Sequence, residues 1–196
     1  MSRRSGTPYE DALRAVLALL DDLPGPGMII GGLAVIAQGH VRATEDIDVT
    51  VSGASVTAGA VIDVAARHGI VSRIDDPVAF AERTQVLLLV HERTGVEVDL
   101  SLAWIPFEEE ALARQQVVAF GEMTIRVCHP EDLIIYKLVA ARPLDLEDAR
   151  QLTLRHGRAL DRERIQRTVA GFDEILEDGR SRLALWLAIE RSTMPP

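Results

Sequence analysis

The sequence predicts an α/β (α+β) fold: a twisted, mixed sheet flanked by helices, followed by a carboxy-terminal helical bundle. Short apolar runs with strand character alternate with helical segments in the first two thirds of the chain, and this alternation is typical of α/β proteins. From Pro130 onward only helical patterns occur. The 196 residues, of which 47% are hydrophobic, suffice for one core with a helical extension. We therefore expect a core over residues 1–127 and a helical region over residues 128–196.

The elements of the core follow from apolar periodicity and from glycine and proline positions. Apolar residues at helical spacing over residues 10–23 predict a helix, which the sequence "PGPG" ends. The run "MII" predicts a strand, after which Gly31 and Gly32 turn the chain into a short helix that stops at Gly39. The remaining core elements are the strand "DIDVTV", a helix over residues 55–68, the strands "QVLLLVHE" and "VEVDLSL", a helix over residues 107–116 and the strand "MTIRV".

The helical region begins with "PEDLIIYKLVAAR", where a proline followed by two acidic residues is favourable chemistry for the start of a helix. Three further helical patterns cover residues 146–155, 162–176 and 181–190. Four successive helices without an intervening strand predict the bundle.

Composition excludes several classes of protein. The formal net charge of -9 argues against a broad phosphate-binding surface, so any contact with RNA must be local. The single cysteine, Cys128, excludes an intramolecular disulfide and a zinc site made of several thiolates. Acidic residues interrupt the amino-terminal segment, which we interpret as a helix and not as a signal peptide, and no run reaches the roughly 18 apolar residues of a membrane span. We expect a cytoplasmic protein with no membrane partner.

Carboxylates on two predicted strands are the main candidates for chemistry. Side chains alternate along a strand, so Asp46 and Asp48 point to one side while Ile47 and Val49 point to the other. In "VEVDLSL" the same alternation places Asp99 on a polar face. If the two strands are neighbours, the three carboxylates form a cluster whose hard oxygen ligands favour Mg²⁺ or Mn²⁺. Such a cluster can hold two metal ions for an in-line phosphoryl displacement.

In this interpretation Asp46, Asp48 and Asp99 are metal ligands and catalytic residues. Asp46 and Asp48 bridge the two ions, whereas Asp99 binds the ion on the hydroxyl side and accepts the proton of the attacking hydroxyl. Gly31 and Gly32 permit close approach of the backbone, and the amides that follow them form an anion site for phosphates.

The order of these residues resembles the DNA polymerase β-like nucleotidyltransferase superfamily. Gly31, Gly32, Asp46, Asp48 and Asp99 match its pattern of two glycines, a short helix, an aspartate-hydrophobic-aspartate strand and a third aspartate on a later strand. The resemblance covers about the first half of the chain. It implies a Mg²⁺- or Mn²⁺-dependent enzyme that transfers a nucleoside monophosphate from an NTP, such as ATP, to an acceptor hydroxyl with release of pyrophosphate. The acceptor is an RNA 3′ end, a protein or a small molecule such as an antibiotic.

A second block, "HPEDLIIYKLVAARPLDLEDARQL", resembles small bacterial members of this superfamily, including AbiEii-type toxins of toxin-antitoxin systems and compact antibiotic nucleotidyltransferases. The resemblance implies that Lys137 contacts the triphosphate or the base, and that Asp145 or Asp148 faces the site. It also implies an antitoxin as a partner. One position departs from the family: Leu33 stands where a serine hydroxyl usually binds a phosphate, a contact that backbone amides could also make.

Simpler interpretations exist for several of these residues. Arg42 is a candidate clamp on the phosphates, or it pairs with Glu45 or Asp46. Lys137 could extend from an apolar stripe to solvent, and helix capping explains at least one of the two acids that follow it. For the whole protein, the alternative is a catalytically weak or inactive module of the same fold with a binding or regulatory role.

Overall fold

The computed structural model describes residues 6–193; the predicted core and helical region extend beyond this range by residues 1–5 and 194–196, which lie outside the description. Within it the chain forms helices and strands in regular succession. In chain order they are α1 (Pro8–Asp22), β1 (Gly27–Ile29), α2 (Gly31–Ala37), β2 (Ile47–Ser52), α3 (Ala58–Arg67), β3 (Ile70–Ser72), α4 (Pro77–Thr84), β4 (Val86–His91), β5 (Glu97–Ala103), α5 (Pro106–Ala113), β6 (Gln116–Phe120), β7 (Met123–Val127), α6 (Pro130–Ala140), α7 (Pro143–His156), α8 (Arg162–Ile175) and α9 (Arg182–Thr193).

Internal packing divides the chain into two compact units. The sheet unit comprises the chain up to Leu33 and the stretch Ala43–Val127. The helical unit comprises Ala34–Arg42 and the chain from Cys128 onward. The segment 34–42 therefore packs with the helical unit, although it lies in the sequence between two strands of the sheet.

The sheet unit contains a seven-stranded mixed sheet in the order β3-β4-β5-β2-β1-β7-β6. At its centre β2 and β5 are neighbours and run parallel, whereas β1 pairs with β2 and β4 pairs with β5 in antiparallel fashion. Helices α1, α3, α4 and α5 belong to the same unit. This architecture confirms the predicted mixed sheet flanked by helices.

Hydrophobic alternation sets the register of the two central strands. Ile47 and Val49 on β2 are fully buried, as are Val98 and Leu100 on β5. Burial of a side chain of this size contributes on the order of 1.5–3 kcal/mol. A slip of one residue would expose these side chains and bury Asp48 in their place, so the packing energy of the core determines which way the carboxylate points.

Helix α1 shows how local sequence defines the ends of the elements. The Thr7 hydroxyl accepts the backbone N–H of Glu10 at 3.2 Å, and the Glu10 carboxylate accepts the backbone N–H of Thr7 at 2.8 Å. This reciprocal capping and the proline at the first helical position start the helix two residues before the predicted residue 10. Its apolar stripe, which includes Leu13 and Val16, is buried.

The helical unit consists mainly of helices α6 to α9, which pack against one another. Its buried side chains include Leu138, Leu152, Ile165, Val169 and Trp186. This packing confirms the predicted carboxy-terminal bundle. Among residues 6–193, none of the helices combines the length and the apolar composition that crossing a bilayer requires.

Three elements of the sheet unit were not predicted. β3 has only three residues, and the apolar run of β6, "QVVAF", begins at the residue where the predicted helix over residues 107–116 ends. α4 begins with Asp76 as its N-cap, whose side chain accepts the Ala79 N–H at 3.1 Å, followed by a proline at the first helical position. That signal was present in the sequence. The predicted helix over residues 107–116 was wrong at its end, because the chain leaves the helix after Ala113 and enters β6.

Candidate active site

Two of the predicted catalytic carboxylates lie side by side on the central strands. Asp48 is directly opposite Asp99 in the parallel register of β2 and β5, and neighbouring strands lie about 4.8 Å apart. Both residues are half-buried between fully buried apolar neighbours. The two carboxylates therefore share one face of the sheet at the beginning of both strands.

Asp46 immediately precedes β2, two residues before Asp48. Its Oδ1 accepts the hydroxyl of Thr44 at 3.0 Å, and its backbone carbonyl accepts the Tyr9 hydroxyl at 3.0 Å. The Tyr9 contact ties this residue to α1. Asp46 also lies close enough to Asp99 for its negative charge to raise the pKa of that carboxyl.

The pKa of Asp99 is raised above the ordinary value for an aspartate. Burial is the main cause, and the negative charges of Asp46 and Glu97 act in the same direction. The guanidinium of Arg73 lowers the pKa but does not cancel these effects. A carboxyl with a raised pKa binds a proton more readily than an ordinary aspartate does, which is the property a proton acceptor needs.

Gly31 makes room for the Asp48 carboxylate. Its φ angle is +58°, and a Cβ at this position would lie 1.8 Å from Oδ2 of Asp48. The backbone N–H of Ile30 also donates to the Asp48 carbonyl at 2.9 Å. The backbone at the start of α2 therefore lies directly against Asp48, an approach that only glycine permits. Gly32 is the second residue of α2, and Leu33, the third, is 1% exposed and belongs to the apolar core.

Arg73 is a site residue that the sequence interpretation missed. Its two terminal nitrogens donate to carboxylate oxygens of Glu97 and Asp99. The residue follows the short strand β3 in an irregular segment, and nothing in its sequence context singles it out. Only the strand order, with β4 between β3 and β5, reveals that its side chain reaches Asp99.

The remaining predicted site residues form a separate cluster within the helical unit. The Lys137 ammonium lies 3.0 Å from Oδ1 of Asp145 and 2.9 Å from Oδ2 of Asp148. The guanidinium of Arg42 lies 3.2 Å from Oδ1 of Asp148. The side chains of Lys137 and Asp148 are 7% and 0% exposed. The sequence suggested Glu45 or Asp46 as the ion-pair partner of Arg42. It did not anticipate the pairing with Asp148.

The two acids that the sequence could not tell apart have different surroundings. Asp145 occupies the third position of α7 and accepts the backbone N–H of Arg142 at 3.3 Å, so it caps the helix. Burial alone would raise the pKa of Asp145, but hydrogen bonds from Arg142 and Lys137 and the charges of these residues lower it overall. Asp148 lies one turn further along α7, fully buried between Lys137 and Arg42.

The carboxylates of the sheet unit fit a hard divalent cation in their chemistry. Asp46, Asp48 and Asp99 offer oxygen ligands of the kind that Mg²⁺ and Mn²⁺ prefer, and the missing side chain of Gly31 allows the Asp48 carboxylate to lie against the backbone there. Among residues 6–193, however, no three side chains of the His, Cys, Asp and Glu types already converge as a ligand set. Oδ1 of Asp99 instead contacts Arg73.

Solved structures of nucleotidyltransferases and of a nucleotidyltransferase-like protein have folds similar to that of this chain. The chain is similar to ANT(2″)-Ia in complex with adenylyl-2″-tobramycin, with a TM-score of 0.54 and 18% identity over 95% of this chain and 99% of that chain. The solution structure of the antibiotic-resistance factor ANT(2″)-Ia gives a TM-score of 0.55 and 20% identity over 94% and 96%. An antigenic nucleotidyltransferase-like protein from Paracoccidioides brasiliensis gives 0.53 and 15% over 96% and 90%. These similarities show a nucleotidyltransferase fold.

The family itself follows from the sequence. Residues 12–186 match the family described as nucleotidyltransferase of unknown function (DUF6036), and the chain belongs to this family. No curated protein matches the chain significantly.

We expect Gly31→Ala to lower the free energy of unfolding by about 3 kcal/mol. A positive φ costs a residue with a Cβ about 1–2 kcal/mol, and displacing the Asp48 side chain adds a similar strain. Chemical denaturation of the two proteins measures the difference. Gly59→Ala in α3 is the control, because a Cβ there meets nothing within 4 Å and alanine favours the helix. Equal stabilities of Gly31→Ala and wild type would contradict the close approach.

We expect Asp99→Asn to raise the melting temperature at neutral pH when it is measured in EDTA. Because the folded protein raises the pKa of Asp99, the ionised carboxylate reduces stability above that pKa, and this cost vanishes below 3.8, where the carboxyl is protonated in both states. The advantage of the asparagine variant should therefore grow as the pH rises from acidic to neutral values and then stay constant. A pH-independent difference, or a loss of stability at neutral pH, would refute this origin.

We expect Lys137→Met to lower the free energy of unfolding by about 3–5 kcal/mol, because it leaves Asp145 and Asp148 buried with one cation fewer. Denaturant unfolding measures the loss. Arg150→Met is the control: the pair of Arg150 with Glu147 lies on the exposed side of α7, and its removal should change little. A Lys137→Met variant as stable as wild type would show that the cluster does not hold the helical unit together.

Proposed function

We propose that this protein is a metal-dependent nucleotidyltransferase that moves a nucleoside monophosphate from an NTP to an acceptor hydroxyl and releases pyrophosphate. The observation that carries the proposal is the pairing of Asp48 with Asp99 on adjacent parallel strands, with the backbone of Gly31 directly against Asp48. Membership of a nucleotidyltransferase family supports it. A reaction that consumes NTPs also favours the cytoplasm as its location.

Asp46, Asp48 and Asp99 are the residues that would hold Mg²⁺ or Mn²⁺. The bound ion supplies neutralisation of the phosphate charge and a lowered pKa of the acceptor hydroxyl. A hydrogen bond from the Thr44 hydroxyl orients the Asp46 carboxylate for this role. The strand register, in which Asp48 lies opposite Asp99, determines the position of the Asp48 side chain.

Asp99 is the proposed acceptor of the proton from the attacking hydroxyl. Burial raises the pKa of this carboxyl in the metal-free protein, and a cation bound to Asp99 would act in the opposite direction. The acceptor oxygen forms a bond to the α-phosphorus as the bond to the bridging oxygen breaks and pyrophosphate leaves. Because this transfer asks for little covalent chemistry from the protein, positioning and charge neutralisation provide most of the catalysis.

Backbone amides beside Gly31 and Gly32 are the proposed contacts for the triphosphate, since the buried Leu33 offers no hydroxyl. Arg42, Lys137 and one of the two aspartates of α7 remain predicted nucleotide contacts on the strength of the family resemblance. Their burial in an ion-pair cluster supports a structural role as well. The Lys137→Met variant separates the two roles, because a structural role alone leaves the affinity for nucleotide unchanged in the folded protein.

A cationic small molecule is the acceptor class that the charge of the protein favours. The net charge of -9 attracts polycations and repels RNA. The similar fold of ANT(2″)-Ia was solved with adenylyl-2″-tobramycin, the adenylylated form of a small molecule. An aminoglycoside hydroxyl is therefore the first acceptor to test, ahead of an RNA 3′ end or a protein side chain. A role as an AbiEii-type toxin with an antitoxin partner remains a prediction from the sequence resemblance.

The second candidate is a catalytically weak module of the same fold with a binding or regulatory role. It is favoured by Leu33, which is 1% exposed and replaces the phosphate-binding serine of the resembling family. It is also favoured by the contact of Arg73 with Asp99, which places a cation of the protein on a proposed metal ligand. Nucleotide binding without transfer to any acceptor would select this candidate.

The test is transfer of label from each of the four α-labelled NTPs, with Mg²⁺ or Mn²⁺, to aminoglycosides, total RNA or the protein itself. We expect one acceptor to become labelled, and Asp48→Asn to reduce the rate by about 100-fold or more. Asp63→Asn, which removes an exposed aspartate of α3, is the matched control and should retain the rate. Transfer that survives both EDTA and Asp48→Asn would refute the proposed site.

A further inference from the structure

Arg73 lies in a row of residues that crosses four neighbouring strands. Asp48 is opposite Asp99, and Asp99 is opposite Leu88 on β4. The backbone N–H of Arg73, just after β3, donates to the Leu88 carbonyl at 2.9 Å. The backbone position from which the Arg73 side chain extends is therefore determined by the same sheet that carries the carboxylates.

The guanidinium of Arg73 bridges two carboxylates on one face of β5. One terminal nitrogen donates to Oε2 of Glu97 and the other to Oδ1 of Asp99. Glu97 is more exposed than Asp99, at 57% against 37% of its side chain, while Arg73 is 25% exposed. The contact with Asp99 is thus the less solvated of the two and the stronger electrostatically.

A cation at Asp99 has to share or displace this contact, because both would use the same carboxylate. At Asp46 the corresponding side-chain partner is the neutral hydroxyl of Thr44. Asp99 and Asp46 therefore differ in what a divalent cation must overcome. A positive charge opposes it at Asp99, and a neutral hydrogen bond opposes it at Asp46.

We propose that Arg73 is a positioning residue that competes with a divalent cation for Asp99, so that a cation position that uses Asp99 fills only at a higher cation concentration than it would without Arg73. This inference rests on the proposed function, since it assumes the three carboxylates as metal ligands. It assigns Arg73 control over the metal concentration at which the site becomes complete. A purely structural ion pair between β3 and β5 has no such consequence.

Mn²⁺ titration of the full-length chain, without nucleotide, tests the inference by the electron paramagnetic resonance signal of free Mn²⁺. Arg73→Gln should tighten the Mn²⁺ binding that uses Asp99 by about three- to tenfold, the range expected when an ion pair of this exposure is removed. The same substitution in an Asp99→Asn background should leave Mn²⁺ binding unchanged, and Arg73→Lys should stay near wild type. Arg83→Gln, an exposed arginine of α4, is the control for the change in net charge.

The possible results separate the inference from the proposed function. Unchanged or weakened Mn²⁺ binding in Arg73→Gln, with nucleotidyl transfer present, overturns the inference and leaves the proposed function intact. Tightened binding that depends on Asp99, without transfer to any acceptor, supports the inference and removes the proposed reaction. Absence of Mn²⁺ binding in both proteins overturns the metal ligand set and the inference with it. Tightening that persists in the Asp99→Asn background, or that Arg83→Gln reproduces, also overturns the inference.

Discussion

The parallel pairing of β2 with β5 is the constraint on which the rest of the site depends. It places Asp48 opposite Asp99, and like charges directly opposite each other destabilise a sheet. Ile47, Val49 and Leu100 favour this register because a slip of one residue would expose them. The apolar core thus forces two carboxylates together, and the neighbouring residues have to accommodate the repulsion.

Two kinds of accommodation are visible around this pair. Gly31 has no side chain where Asp48 needs space, and Arg73 supplies a positive charge to Asp99. Ionised Asp99 still carries a cost, because burial and the charges of Asp46 and Glu97 keep its pKa raised despite Arg73. A protein that retains such a cost at one place in a well-packed sheet has the pattern expected of a functional site, where stability is given up for chemistry.

The sequence could predict what depends on local pattern and failed where partners come from distant segments. The alternation in "DIDVTV" and "VEVDLSL" was enough to find β2 and β5 and the face that their aspartates share. The role of Arg73 depends on an antiparallel neighbour, β4, and on a three-residue strand too short to give a pattern. The partner of Arg42, Asp148, is more than a hundred residues away in the sequence, on a helix of the same unit. Periodicity carries no information about such pairings, because it reports the environment of a residue and not the identity of its neighbour.

The spacing of Lys137, Asp145 and Asp148, which resembles that of the family, has a structural explanation that involves no nucleotide. Lys137 is the only lysine among 21 lysine and arginine residues, and it lies between two carboxylates one turn apart on α7. A compact ammonium fits between them, whereas the planar guanidinium of an arginine has a different shape and donor geometry. A phosphate that bound Lys137 would have to displace Asp145 or Asp148, both almost completely shielded from the water that would solvate the displaced carboxylate. Folding of the helical unit therefore accounts for the lysine and both acids, and a nucleotide contact needs support beyond their spacing.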